Sequence, residues 1–478
     1  MTSYRQIFRN LSLLGSAQFV NVLLAVGRNK LAALFIGVAG MGLADIYARL
    51  VETMSGFSHF GIGLTAVRRL TALHEQGVCA ARLERHVALV RSWGLVLALA
   101  GSLLTLALCL PLSLLLTGSS AEAPAFALLS PAVGFSVLTF CEIALLRAFK
   151  RLRQLALSTI VSAAFTLAIT ALLYGLWGQR SIVWATLLFL FTGWASAFWF
   201  THRLFPYRTG RMAWRRLREG MPMLRLGAAY VVAGTVTSLC ELLVRSLLMR
   251  RGDGLATVGL YAAGFTLTMS YTRILFSAMD SDFFPRLTAV VHSRDAAYVT
   301  INRQITLMAV LVAPLLLVFA ALLPVVIRLL YTPDFIAVEP MVTAALGAVY
   351  CKAVYTPMAY LPLASGDSKL YMTMELTYNV AFVAFVVGGY TLGGLAGAGL
   401  GLTLAHLCDL LMLHTVYRRR YGYRMNLDTA LRSLFLGLCL AAGLAALYLA
   451  PTPGRYTLAA LALVAMVPAV WRVAKRMK

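Results

Sequence analysis

Acidic residues are scarce in this chain. Eighteen Asp and Glu stand against 42 Lys and Arg, and the four charged types together make up only 13% of the 478 residues. A soluble domain averages about 25% charged residues, so a water-facing shell of the ordinary kind is excluded. Cysteine is sparse and scattered. Cys79, Cys109, Cys141, Cys240, Cys351, Cys408 and Cys439 include no CxxC pair, and six of the seven lie in apolar runs. That pattern argues for buried thiols and against a disulfide framework or a zinc site. Also missing are a Walker motif, HExxH, GxSxG, a DxD-type pair in a connection, and any outer loop long enough to carry an enzyme site. Neither an enzyme nor a nucleotide-driven pump is expected, and no metal or cofactor.

What is abundant is apolar length. Hydrophobic residues make up 60% of the chain and the mean hydropathy is +0.80. Runs near the roughly 20 residues needed to cross a bilayer core recur throughout. Read against glycine and proline breakers, they predict fourteen spans, near 10–36, 43–67, 88–116, 123–146, 155–177, 181–202, 222–249, 257–282, 304–330, 337–363, 370–389, 394–417, 431–449 and 456–472. The start, "MTSYRQIFRNLSLLG", runs into a long first span with no small-residue cleavage site, and is read as a retained helix. The chain is expected to be an all-α polytopic membrane protein.

Lys and Arg gather in the N-terminus and in every second connection, whereas the opposite connections hold only Arg180, Arg250, Arg251, Arg328 and Arg455. By the positive-inside rule both termini are cytoplasmic. Most of the net charge of +24 is thereby explained without nucleic acid as a partner. The basic stretch "RTGRMAWRRLREG" (208–220) can touch anionic headgroups or act only as a topology determinant.

That stretch lies near the midpoint, and the two halves resemble each other. Shifted by 217 places, Arg28 falls on Arg245, Gly37 on Gly254, Gly42-Leu43 on Gly259-Leu260, and "RRLTAL" (68–73) on "PRLTAV" (285–290). Both copies begin a six-helix block on the same side, which makes the repeat parallel and not inverted. The expected organisation is a six-helix lobe over 1–203, a basic cytoplasmic linker over 204–221, a second six-helix lobe over 222–420, and two final helices in 421–478.

Charges inside spans cost roughly 2.5–3.5 kcal/mol each on insertion scales and usually face a partner or a hydrated cavity. The candidates are Arg28, Lys30, Arg49, Glu52 and His59 in the first two spans, Glu241 and Arg245 in the seventh, Arg273 in the eighth, Lys352 in the tenth, and Glu142, Glu375, His406 and Asp409 elsewhere. Glu241 and Arg245 are four apart, and Arg49 and Glu52 three apart, so each pair can neutralise itself on one helix face. Arg28 and Lys30 lie near a span end and can snorkel. Arg273 and Lys352 sit about 24 Å into their spans at 1.5 Å per residue, where a cavity is favoured. The excess is positive, and arginine forks suit phosphate oxygens. Arg28, Arg49, Arg245, Arg273 and Lys352 are therefore expected to line a cavity for an anionic, phosphorylated substrate. Glu52, His59, Glu241, His406 and Asp409 are candidates for ion pairs or ion coupling.

Three stretches resemble the multidrug/oligosaccharidyl-lipid/polysaccharide exporter superfamily, and within it the Wzx-type O-antigen and polysaccharide-repeat flippases. They are "KLAALFIGVAGMGLADIYARLVETMSGFSHFGIGLTAV" (30–67), "DFFPRLTAVVHSRD" (282–295) and "DFIAVEPMVTAALGAVYCKAVYTPMAYLPLASGDSKLYMTMELTYN" (334–379). The resemblance implies two six-helix lobes around a central cavity, in a bacterial inner membrane. It further implies translocation of an undecaprenyl-diphosphate-linked oligosaccharide by alternating access. It places the diphosphate on Arg28, Arg49 and Arg273, on the helices where lipid II flippases carry cavity arginines, although Glu52 beside Arg49 departs from that pattern. Spans thirteen and fourteen match in position the helices that form a prenyl-tail groove in those flippases. A polysaccharide polymerase and chain-length proteins are implied partners, and a monomer is the implied state. The alternatives are a drug or cation antiporter of the same superfamily, a lipid II flippase, or a membrane glycosyltransferase or polymerase.

Overall fold

The structure is a computed structural model, and it describes residues 4–76, 80–205, 214–449 and 454–477. Cys79 and residues 206–213 of the basic linker lie outside the described residues. Among the described residues the chain is helical with no strand, as it must be where no water can satisfy backbone groups. Fourteen rods follow in order: α1 (4–36), α2 (38–75, interrupted at 59–61), α3 (80–117), α4 (123–148), α5 (152–177), α6 (182–204), α7 (Trp214–Arg251), α8 (255–290), α9 (Arg294–Leu330), α10 (Glu339–Ser365), α11 (368–392), α12 (395–420), α13 (Leu427–Leu449) and α14 (Gly454–Met477). Eight stretches, several holding two rods, are long and apolar enough to cross a membrane. The chain is a multi-pass membrane protein.

Two turns are tighter than the sequence implies. The stretch "GVAGMG" reads as a connection, yet α2 resumes at residue 38. Gly37 alone reverses the chain, at φ 65 and ψ −169, a conformation costly for any residue with a Cβ. In "GGYTLGG" helix α11 likewise persists to 392, and Gly393 and Gly394 make the whole turn.

Met1–Arg250 and Arg251–Lys478 form two compact units. The core of the first joins α2, α3 and α4 through Ile62, Ala66, Val90, Val137 and Leu145. Beside it Arg91 binds Glu142 by two parallel bonds of 2.9 and 3.0 Å. The Thr201 hydroxyl donates to the same carboxylate, and Arg91 also donates to the Phe205 carbonyl at 2.9 Å. Glu142, isolated in the sequence, is thus half of a buried pair that ties α3, α4 and α6 together. Breaking such a pair typically costs about 3–5 kcal/mol, because it strands a buried charge.

In the second unit α9 is apolar all round over 307–327. Ile301, Ile305, Met308, Val312 and Leu316 recur at helical spacing on its buried face, while Leu311, Leu315, Leu322 and Leu329 are exposed. An apolar outer face suits lipid contact. Rods α11 and α12 approach through glycine: a Cβ on Gly397 would overlap the Gly389 carbonyl, and one on Gly401 that of Phe385. Without a side chain at those points the two backbones pack directly, the usual route to close association of membrane helices. Between α10 and α11, the Asp367 carboxylate accepts the Leu370 N–H at 3.2 Å. That bond holds the acid below its usual range, with help from Arg420 and the Tyr421 hydroxyl. The described cysteines are free thiols.

A side chain at Gly397 meets a backbone carbonyl, which no rotamer change can move aside. Gly397→Leu is therefore expected to cost at least the ~1–3 kcal/mol of ordinary core overpacking. Gly388→Leu, where a Cβ meets nothing within 4 Å, should be tolerated. Thermal melting of the two detergent-solubilised variants, read by size-exclusion monodispersity, checks the contrast.

Candidate functional site

Helical spacing builds one wall of a cavity in the first unit. Ala48, Glu52, Ser55, Gly56 and His59 recur along one face of α2, and Val231, Gly234, Thr235 and Ser238 along one face of α7. Stripes at three- and four-residue intervals place each set on a single side of its rod. The rods come close at Gly56, where an added Cβ would lie 3.1 Å from the Thr235 hydroxyl. Arg28 from α1, Ser136 and Phe140 from α4, and Thr186 and Phe189 from α6 complete a cavity of about 530 Å³. That is within the range of about 300–1,000 Å³ typical of small-molecule sites.

Arg28 makes one hydrogen bond, from Nη2 to Asn29 Oδ1 at 3.1 Å, and has no carboxylate partner among the described residues. Tyr174, in a π turn of α5, lies within its electrostatic reach. The Ser55 and Ser238 hydroxyls donate to carbonyls of their own helices, Glu52 and Gly234, at 3.0 and 3.2 Å. Their oxygens keep lone pairs that can accept. The His59 ring lies 4.8 Å from Phe140, centroid to centroid.

Next along α2 and α7 comes a closed ring of four charges. Arg49 contacts Glu241 at 3.0 Å and Asp45 at 3.7 Å. Arg245 contacts Asp45 and Glu241, the latter at 3.8 Å. Glu52 adds a fifth charge, 2.7 Å from Arg49. Arg245 is only 1% exposed and also donates to its own helix at the Glu241 carbonyl, at 2.9 Å. In this conformation both guanidiniums are engaged by acids. The expected local pairs, Arg49 with Glu52 and Arg245 with Glu241, are present, and the ring links them across two helices.

The remaining candidates fall elsewhere. Lys352, His406 and Asp409 are brought together in the second unit. There the Tyr378 hydroxyl lies 3.2 Å from His406 Nε2, Tyr355 neighbours Asp409, and Lys352 lies within electrostatic reach of Glu375, His406 and Asp409. The Lys352 ammonium also sits 5.7 Å above the Phe276 ring. Arg273 is on α8, and its side chain lies outside the described residues. Among the described residues no group of three or more His, Cys, Asp or Glu is placed to hold a metal. A separate apolar groove of about 840 Å³ in the second unit is walled by α10, α12 and α13. Sequence reasoning missed Asp45. Its position four residues before Arg49 in an apolar run was the available signal. Tyr47, which donates to Glu122 at the start of α4, had no local signal at all.

One structural relative is a lipid II flippase, MurJ, in an inward closed conformation: TM-score 0.72, 14% identity, 97% of this chain and 98% of that chain covered. Another is an inward-facing multidrug resistance MATE family transporter of the MOP superfamily, with TM-score 0.64, 17% identity, and 84% and 94% covered. A MOP superfamily transporter from Pyrococcus furiosus gives 0.58, 14%, and 86% and 95%. The fold is thus that of the superfamily whose resemblance the sequence carries. The chain belongs to the polysaccharide biosynthesis protein family, whose model matches residues 7–291. No curated protein matches it in sequence.

Removing one acid from the ring leaves a buried guanidinium short of a counter-charge. Asp45→Ala is expected to destabilise by roughly 3–5 kcal/mol. Pairing Asp45→Asn with Arg245→Gln should recover much of that loss. Melting temperatures of the single and double variants, combined as a double-mutant cycle, measure the coupling.

Proposed function

We propose that this protein is a flippase, not an enzyme, and that it carries an undecaprenyl-diphosphate-linked oligosaccharide across the bacterial inner membrane. An O-antigen or similar polysaccharide repeat unit moves from the cytoplasmic to the periplasmic leaflet by alternating access, and both termini stay in the cytoplasm. The division into 1–203, 222–420 and 421–478, the monomeric state, and a polysaccharide polymerase with chain-length proteins as partners belong to the same proposal. The observation that carries it is Arg28: a guanidinium with no acid beside it among the described residues, on the wall of a cavity with several hydroxyls, in a chain of the polysaccharide biosynthesis family. A charge left without a counter-ion at membrane depth is costly unless a ligand supplies one, and a diphosphate does so with two oxygens per fork.

Arg28 is the first residue of the diphosphate site. Arg49 and Arg245 serve it in a conformation that releases them from Asp45 and Glu241, and Arg273 and Lys352 are further cationic contacts. The prenyl tail is assigned to α13 and α14, the helices that the resemblance implies.

The test is the leaflet distribution of the lipid-linked oligosaccharide in cells lacking this gene, before and after restoring it. Cytoplasmic-side accumulation cured by wild type is the expected result. Normal distribution in the absence of a redundant transporter would transfer the assignment to drug or ion antiport. Arg28→Ala should lower lipid export about 10- to 100-fold, the cost of a charge-assisted hydrogen bond. Arg28→Lys, which keeps the charge and loses the fork, should fall between it and wild type. Both should insert normally.

A further inference from the structure

His59 ends the polar stripe of α2 at a break in the helix. Its backbone N–H still donates to the Ser55 carbonyl at 3.0 Å, but Phe60 and Gly61 both take positive φ, 43 and 64. A non-glycine residue in that region is uncommon and strained. The strained turn brings the Gly61 N–H back onto His59 Nδ1 at 3.1 Å. An imidazole nitrogen that accepts an N–H carries no proton of its own, so the ring is neutral with its hydrogen on Nε2. That nitrogen has no partner among the described residues, and the ring lines the cavity. His59 is thus held as a donor with a fixed tautomer, which is a poor arrangement for a proton carrier and a good one for recognition.

The surroundings say what is recognised. Phe140 presents an apolar face next to the ring. Ser55 and Ser136 bring hydroxyl oxygens to the cavity beside it. Glu52 lies seven residues before His59, about 10 Å along the helix at 1.5 Å per residue, so this end of the cavity has the length of more than one small polar group. A mixture of one apolar platform and several neutral hydrogen-bonding groups fits a sugar, whose C–H face packs on aromatic carbon while its hydroxyls exchange hydrogen bonds. It does not fit a second phosphate, for which the lining offers no Lys or Arg besides Arg28.

We propose that the His59 end of this cavity is a saccharide subsite. It takes the sugar joined to the diphosphate, with His59 Nε2–H donating to a sugar oxygen and Phe140 beneath the ring. This rests on the proposed function, and the experiment separates the two. The probes are farnesyl diphosphate and farnesyl diphosphate bearing glucose, galactose or N-acetylglucosamine. Each is bound to the full-length protein in nanodiscs. Wild type should bind at least one sugar-bearing probe more tightly than the bare diphosphate. His59→Ala should erase that increment, about three- to tenfold for one hydrogen bond, and leave bare-diphosphate binding unchanged. Glutamine places its amide N–H near Nε2 and asparagine places it near Nδ1. His59→Gln should therefore restore the increment and His59→Asn should not, a distinction that a purely structural histidine would not produce. Equal loss on both probe types, equal behaviour of Gln and Asn, or no sugar increment in wild type overturns the subsite. Failure of wild type to bind bare farnesyl diphosphate overturns the proposed function, and the subsite with it.

Discussion

Hydrocarbon offers no hydrogen bonds, and the rest of the structure follows from that. Each backbone amide must be satisfied within its own rod, so the described chain is helical and its interruptions are few. Where the helix stops, glycine carries the turn, as at Gly37 and at Gly393–Gly394. Where it is disturbed inside a rod, π turns at Thr170–Tyr174 and Thr266–Ser270 keep the amides bonded in a shifted register. Hydroxyls obey the same constraint: Ser58, Thr105, Thr186 and Thr268 donate to carbonyls four residues back in their own helices. Against that background a polar group with nothing to bind, in a chain that can so readily satisfy itself, is informative.

Charge is sorted by the same rule. Arg91 and Glu142 consume each other in the core of the first unit. Asp45, Arg49, Glu241 and Arg245 close on themselves. Arg28 and His59 line one cavity, and among the described residues Arg28 has no acid partner and His59 Nε2 no hydrogen-bond partner. The difference lies in their neighbours and not in their residue types. Arg49 is as well suited to phosphate as Arg28, but it has three carboxylates within 4 Å.

Much of the fold was legible in the sequence because its dominant signal, apolar length between breakers, is local. The fourteen rods were countable, and the errors at α2 and α11 came from treating small apolar glycine-rich runs as loops. One glycine at positive φ is enough to reverse a membrane helix, and the residues beside it go on being helical. The pairs three and four residues apart were legible for the same reason: helix geometry alone puts Arg49 beside Glu52 and Arg245 beside Glu241. Contacts between Asp45 and Arg245, 200 residues apart, had no such signature, nor did the pairing of Arg91 with Glu142. The role of His59 turned on a backbone N–H two residues ahead, made available by a strained turn that residue types do not announce. A histidine in an apolar run reads equally as a coupling group or a satisfied one until its ring nitrogens can be told apart.

The ring of two acids and two guanidiniums has a further property. As a body it carries no net charge, so shifting it through the membrane field does no electrical work. A single unpaired charge crossing the full field would feel about 2.3 kcal/mol per 100 mV. A movement that carries α2 and α7 together with the ring intact accordingly draws no electrical work from these four residues, and any voltage sensitivity has to originate with charges outside the ring, Glu52 beside Arg49 among them.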